Sequence, residues 1–176
     1  MTEIDPKTAA TLDALRYSLN TARFITTSLL EPLAEHAMVR PTPGGKAGDG
    51  NHAIWVLGHL VVSEAGLRGL ATGEPSARSD WEPLFAGGST PTDDASAYPS
   101  FDELRAAYDE ERDATLSLLD DITGEQLEAR PAHMPEGTEQ LFSTAAKVLH
   151  FIGHHETFHG GELADIRRMV GIKPLA

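Results

Sequence analysis

Two histidines near the C-terminus have the spacing of a metal-chelating pair. Residues 154–162 read HHETFHGGE, and within them His155 and His159 form the pattern H-E-x-x-H with Glu156 between them. Residues four apart lie on one face of a helix, so both imidazoles could bind one divalent ion from the same side. In zinc proteases the pattern supplies two metal ligands and a general base. The motif alone leaves open a protease, another metal protein, or a helix whose histidines have no chemical role.

The surrounding sequence indicates that this pair faces the interior of a protein. The face it shares is apolar at both ends and polar in the middle; it comprises Val148, Ile152, His155, His159, Glu162 and Ile166. Because the apolar ends should pack into a core, we expect the polar middle to lie there too. Glu162 follows His159 by about one turn, where it could be a fourth ligand, a base or a group that orients His159. We take Glu162 as the candidate catalytic residue.

A third metal ligand must come from another helix, and His59 fits this role best. It lies within the apolar segment HAIWVLGHL, residues 52–60, with Trp55 one turn before it. His52 lies on nearly the same face but close to the start of that helix. Three protein nitrogens leave one coordination position open for water or substrate, as in catalytic rather than structural sites. Three buried imidazoles without a shared partner would be costly, which favours a metal over a simple core cluster.

The other histidines are expected to have no part in this site. His36 and His133 lie near loops and should be solvated, and His150 and His154 point away from the shared face. His52 lies close to the start of its helix and is expected to be a core residue hydrogen-bonded to a neighbour. Trp55 is expected to be a packing residue.

Periodicity and end signals predict four long helices. They begin near Asp5-Pro6, Asn51, Ser100 and Ser143, and end near Leu30, Gly73, Asp121 and Val170. A short helix, TGEQLEA, is predicted after Asp121. Residues 41–51 and 73–99 are rich in Gly and Pro, and we expect them to be loops that could close the mouth of the site. The prediction is an all-α four-helix bundle in a single domain, residues 1–176, with one short extra helix and a long loop between helices 2 and 3.

Composition narrows the classes of function. The 176 residues are 40% hydrophobic and 23% charged, as expected for one globular domain. A net charge of -13 disfavours nucleic acid and anionic membrane partners. Cysteine is absent, so any metal must be bound by histidine and carboxylate. We find neither an uninterrupted apolar run long enough to span a membrane nor a secretory signal, and expect a cytoplasmic location.

The motifs together resemble a known family. WVLGHL at residues 55–60 and HHETFHGGELADIRR at 154–168 are similar to motifs of the DinB-like (DinB/YfiT) superfamily of four-helix-bundle metalloproteins. The resemblance implies a metal triad of one histidine on the second helix and a His-x3-His pair on the fourth, here His59, His155 and His159. Many members have glutamine where this chain has Glu162. The resemblance also implies a homodimer, and a small-molecule substrate with a low-molecular-weight thiol such as mycothiol or bacillithiol as cosubstrate.

A protease is disfavoured by the rest of the chain. A peptide-binding strand is not predicted, and no histidine follows His159 to complete a protease triad. Glu156 is then expected to be a surface or interhelix residue.

Three functional hypotheses remain from the sequence. The first is a metal-dependent enzyme acting on a small molecule, as a thiol-dependent transferase or isomerase or as a hydrolase, with Zn, Ni or Fe as the ion. The second is a non-catalytic metal-binding module, which a fourth ligand at Glu162 would favour. The third is a metal-free helical interaction domain in which the histidines hydrogen-bond to one another.

Overall fold

The part of the chain that the structure describes is a bundle of four long α-helices with two short ones. The computed structural model describes residues 4–36, 38–40 and 50–175, and no strand occurs within these ranges. The helices are α1 (Pro6–Leu30), α2 (Ala53–Thr72), α3 (Glu82–Phe85), α4 (Phe101–Asp121), α5 (Gly124–Glu128) and α6 (Ala145–Met169). The predicted all-α bundle is confirmed.

The ends of the long helices follow the signals in the sequence. Asp5 accepts hydrogen bonds from two backbone amides of the first turn of α1, which begins at a proline. Ser100 and Glu103 form the predicted capping box of α4. Gly73 and Gly171 follow α2 and α6 with φ of 81°, a conformation that favours glycine. Local chemistry therefore sets most of the helix boundaries.

The start of α2 differs from the prediction. His52, not Asn51, is the N-cap: its Nδ1 accepts a hydrogen bond from the backbone amide of Trp55 at 3.1 Å. The other ring nitrogen of His52 donates to the carbonyl of Thr92 at 3.0 Å. Both ring nitrogens of this buried side chain are thus hydrogen-bonded. The ring also holds the long connection between α2 and α4, residues 73–99 (the excursion), against the start of α2. Asn51 contacts Glu162 instead.

The 73–99 excursion contains α3, a second short helix that was not predicted. Its four residues, EPLF, are too few to give a periodic signal. Phe85 at its end is fully buried against α2. The excursion is therefore packed onto the bundle instead of extending away from it.

Helices α2 and α6 form the centre of the bundle. Helix α6 packs against α1 and α2, and α2 packs in turn against α4 and α3. Every residue from 52 to 62 is buried, so the first half of α2 is enclosed on all sides. The middle of α2 therefore meets the middle of α6 inside the bundle.

Among the described residues, α2 alone is long and apolar enough to cross a membrane by length and composition. This differs from the sequence expectation, because Gly58, His59 and Glu64 interrupt the apolar run while the mean hydropathy of the helix stays high, at 1.2. In the structure 72% of this apolar stretch of α2 is buried inside the bundle. The core helix of a soluble protein has the same character.

Candidate metal centre

The structure brings together the three histidines chosen from the sequence. The Nε2 atom of His155 lies 3.3 Å from Nε2 of His59 and 3.2 Å from Nε2 of His159. One nitrogen from each ring lies within 4.8 Å of the others. His59 and His159 are buried, and His155 is partly exposed. The cluster could hold a metal ion between α2 and α6.

The separations between these nitrogens suit a tetrahedral ion. Nitrogen ligands bound at roughly 2.0–2.1 Å with tetrahedral angles lie about 3.3 Å from one another. The two Nε2 separations from His155 match that value. An all-imidazole donor set suits Zn, Ni or Fe. The residues present therefore fit a divalent transition metal.

The ring of His59 is fixed by the excursion and by Trp55. Its Nδ1 lies 2.6 Å from the carbonyl oxygen of Phe85, which can only accept, so Nδ1 carries the proton and Nε2 offers a lone pair. The indole of Trp55 stacks on the imidazole, with centroids 4.7 Å apart and planes 8° from parallel. Trp55 is the expected packing residue, and it packs on a candidate ligand.

Gly58 lets the excursion reach His59. A Cβ atom at this position would lie 2.2 Å from the ring of Phe85, far inside contact distance. Only glycine therefore allows Phe85 to seat against α2 and present its carbonyl to the neighbouring histidine. This explains the glycine before the histidine in WVLGHL.

Glu162 orients His159. Its Oε2 lies 2.7 Å from Nδ1 of His159, and its Oε1 accepts a hydrogen bond from Asn51 at 3.0 Å. The proton on Nδ1 leaves Nε2 of His159 free to face the cluster. Of the three roles open to Glu162, these contacts favour the orienting one. Its action as a base stays a prediction.

The hydrogen bonds that the three rings make with one another and with Ser63 are long, at 3.2–3.4 Å. The Nε2 atoms of His59 and His159 both present lone pairs, and a neutral His155 can donate one Nε2 proton to only one of them. The hydroxyl of Ser63 lies 3.4 Å from His59 Nε2, too far for more than a weak hydrogen bond. A shared cation would satisfy all three lone pairs at once, whereas a metal-free network would rely on these long hydrogen bonds.

Burial lowers the pKa values of two of the candidate ligands, His59 and His155. Loss of solvent lowers the pKa of His155 to about 4, with the neighbouring His159 and His59 adding to the effect. Burial likewise lowers the pKa of His59. Burial alone would raise the pKa of Glu162, but the hydrogen bond and charge of His159 outweigh it, and the pKa is lowered. The lowered pKa values of His59 and His155 favour the neutral imidazole, which is the form that binds a metal ion.

Glu156, the glutamate of H-E-x-x-H, belongs to a different cluster. It is 2% exposed and accepts hydrogen bonds from Tyr108 and Arg112. Arg112 also pairs with Glu64 of α2 at 2.9 Å. The expectation of an interhelix residue is confirmed, and that of a surface residue is wrong. A carboxylate held in this way is not placed to activate water as a protease base.

Sequence reasoning missed this buried ion-pair cluster. Glu64 lies within the most apolar helix, and a charge in such a helix is rare unless it is paired. The presence of Glu64 in this helix was therefore the one feature of the sequence that could have predicted a buried ion pair. Its partner Arg112 gave no such signal, because α4 is rich in charged residues.

The remaining histidines lie outside the candidate centre. His36, His133, His150 and His154 are exposed, and His52 is the cap of α2. The excursion at 73–99 reaches the site through Phe85. The other predicted loop, 41–51, lies outside the described residues except at its last two positions.

Comparison with known proteins places this fold and site in a family. A family model for the DinB superfamily matches residues 18–163, which include all three candidate ligands. No curated protein matches the chain. The match covers most of the sequence, from α1 into α6, and agrees with the resemblance carried by the two histidine motifs. The chain belongs to the DinB superfamily.

Proposed function

We propose that this protein is a metal-dependent enzyme acting on a small molecule, with a divalent ion bound by His59, His155 and His159. The observation that supports this most directly is the convergence of the three histidines: Nε2 of His155 lies at tetrahedral-ligand separations of 3.3 and 3.2 Å from Nε2 of His59 and of His159, and one nitrogen of each ring lies within 4.8 Å of the others. The proposed reactions are thiol-dependent transfer or isomerisation and hydrolysis. The thiol must come from a cosubstrate, because the chain contains no cysteine.

The chemistry supplied by the ion is Lewis acidity. When bound, a divalent ion polarises a substrate oxygen or lowers the pKa of a water or thiol toward about 7. Three protein ligands leave a position for that group. The site is therefore of the open, catalytic type by ligand count.

The side chains of this chain hold the ligands in place. Phe85 and Glu162 each accept the Nδ1 proton of one histidine, and so direct the Nε2 lone pair of that ring into the cluster. Trp55 covers the face of His59 and excludes water from it. Such fixed ligands lose little freedom on binding an ion, which raises affinity.

A non-catalytic module would require a closed coordination sphere. Glu162 was the residue that could close it, but both of its oxygens are engaged with His159 and Asn51. That arrangement supports an open position, and so favours the enzyme over the module.

The proposal is tested by asking whether a small ligand reaches the ion. Protein loaded with one equivalent of cobalt(II) would be titrated with azide and with a small thiol, and its visible absorption recorded. We expect a saturable spectral change in the wild type, and in a His133→Ala control, because His133 is exposed and distant from the cluster in sequence. A spectrum that neither azide nor thiol alters would show a closed site and contradict the enzyme proposal.

A further inference from the structure

Helix α6 carries a second His-x3-His pair that the candidate centre does not use. His150 and His154 are one turn apart, and their ring centroids lie 4.6 Å from each other with planes at 75°. The buried pair His155 and His159 has centroids at 4.6 Å and planes at 74°. The exposed pair therefore matches, in ring separation and in the angle between the ring planes, a pair whose Nε2 atoms lie 3.2 Å apart.

The exposed pair is free to bind a ligand. Both residues are exposed, and within the described part of the chain neither ring is hydrogen-bonded to another group. This contrasts with His52, His59 and His159, whose rings are held by a carbonyl or a carboxylate. The lone pairs of the exposed rings are therefore available to a solvent cation.

The pair lines a surface cavity of about 310 Å³. The cavity is formed by Gln140, Leu141, Lys147, His150, Phe151 and His154. Gln140 brings an amide oxygen, a further donor suited to a divalent ion. The ammonium of Lys147 donates to Ser143 at 2.7 Å, so it has a partner other than the rings. Two imidazoles and an amide side chain thus line one open space.

We propose that His150 and His154 form a second metal site, on the surface of α6, for an imidazole-preferring divalent ion such as Zn, Ni or Cu. The two pairs differ by five positions, which turns them by about 140° around the helix and separates them by about 7.5 Å along it. One ion cannot serve both pairs. The protein then binds two equivalents, the buried one tightly and the exposed one more weakly, because fewer protein ligands hold it.

The overall charge of the protein favours this binding. A net charge of -13 raises the local concentration of cations at the surface. Two ligands one turn apart on a formed helix are already placed for chelation, so little ordering is needed when the ion binds.

The test is the stoichiometry of untagged protein in equilibrium dialysis against Zn²⁺ or Ni²⁺ alone. We expect two equivalents for the wild type and one, the tight one, for the His150→Ala/His154→Ala variant. His155→Ala should lose the tight equivalent and keep the weaker one. A His36→Ala/His133→Ala variant removes two exposed histidines without helical spacing, and should keep both equivalents.

Unchanged stoichiometry in His150→Ala/His154→Ala would overturn the proposal, as would a second equivalent that saturates only in the millimolar range. Alanine is a better helix former than histidine, so this variant should fold, and far-ultraviolet circular dichroism would verify that it does. Loss of the tight equivalent alone in the His155→Ala variant would report on the buried centre and leave the exposed site unaffected. The two sites are thus judged separately.

Discussion

At the residue scale, the contact between His159 and Glu162 is the feature most open to test. The carboxylate accepts the Nδ1 proton at 2.7 Å and so sets which nitrogen faces the cluster. Loss of an orienting partner of a metal ligand weakens metal affinity by about 10–100-fold. We expect Glu162→Ala to weaken Zn²⁺ binding within this range, and Glu162→Gln to weaken it less, because its amide oxygen can still accept.

The measurement is a competition titration of Zn²⁺ with a chromophoric chelator. Asp165→Ala is the matched control, since this exposed carboxylate lies on the same helix and pairs only with Arg168 among the described residues. Equal affinities for Glu162→Ala and Asp165→Ala would show that Glu162 does not orient the site.

Burial of the histidines also predicts how the stability of metal-free protein depends on pH. His155 has a pKa of about 4 in the folded protein and about 6.5 when unfolded, so between these values only the unfolded chain takes up the proton. Proton uptake by the unfolded state lowers the free energy of unfolding as the pH falls. His59 acts in the same direction. We expect stability present above pH 6.5 to be lost progressively as the pH falls toward 4.

Urea unfolding of chelator-treated protein at a series of pH values would measure this loss. The His155→Ala variant isolates the contribution of His155, because its other titrating groups are the same as in the wild type. A wild-type profile parallel to that of the variant would mean that the imidazole is not desolvated in the fold.

The candidate ligands could be predicted because they follow rules of helix spacing. His155 and His159 lie four apart on a face with apolar ends, and His59 lies in an apolar segment. Glu156 could not be placed, because its burial depends on Arg112, which is 44 positions away in sequence. Spacing along one helix describes a face, but not which side chains of another helix neutralise a charge on it.

At the element scale, the close approach of α3 to α2 holds His59 in position. Gly58→Ala would place a methyl group against the buried ring of Phe85. Overpacking of this kind costs about 1–3 kcal/mol, more than the roughly 1 kcal/mol that alanine gains over glycine in a helix. We expect a net loss in the free energy of unfolding and weaker Zn²⁺ binding, since the Phe85 carbonyl must move away from His59.

Gly66→Ala is the matched control on the same helix. A Cβ atom there would meet nothing within 4 Å, so this variant should be stabilised by up to about 1 kcal/mol with metal affinity unchanged. Chemical denaturation of the metal-free proteins measures the stability of each variant, and a competition titration of Zn²⁺ measures its metal affinity. If the two alanine variants behaved alike, the packing of Phe85 on Gly58 would not constrain the site.

Local signals in the sequence predicted the long helices, and long-range contacts determined what those signals missed. The caps at Asp5 and Ser100 act within one turn, and both are present as predicted. His52 replaces Asn51 as the cap of α2 because its ring also bonds to Thr92, a contact between distant residues. Helix α3 depends on the packing of Phe85 against α2, and a contact of this kind between distant residues cannot be predicted from sequence periodicity.

At the scale of the whole molecule, we propose that the bundle pairs as a homodimer through α1 and α6. These helices pack against each other, and each presents exposed aromatic rings: Tyr17 and Phe24 on α1 are 74% and 73% exposed, and Phe158 on α6 is 73% exposed. We take these exposed aromatic rings as the partner surface. Sedimentation equilibrium should give twice the monomer mass for the wild type and the monomer mass for Phe24→Glu/Phe158→Glu.

Leu141→Glu controls for the introduction of charge, because it replaces an exposed apolar residue in the segment between α5 and α6. We expect this variant to remain a dimer. A wild-type protein that sediments as a monomer at micromolar concentration would contradict the pairing.

We propose above that the bundle holds a divalent metal between α2 and α6. The most direct test of this claim is elemental analysis by mass spectrometry of untagged wild type and His155→Ala, before and after dialysis against a chelator, with thermal melts of each sample. We predict a tightly held equivalent of transition metal in the wild type, none in the variant, and a lower melting temperature once the metal is removed. Equal metal content in both proteins, or a wild type that neither contains nor takes up Zn²⁺ or Ni²⁺, would contradict the claim.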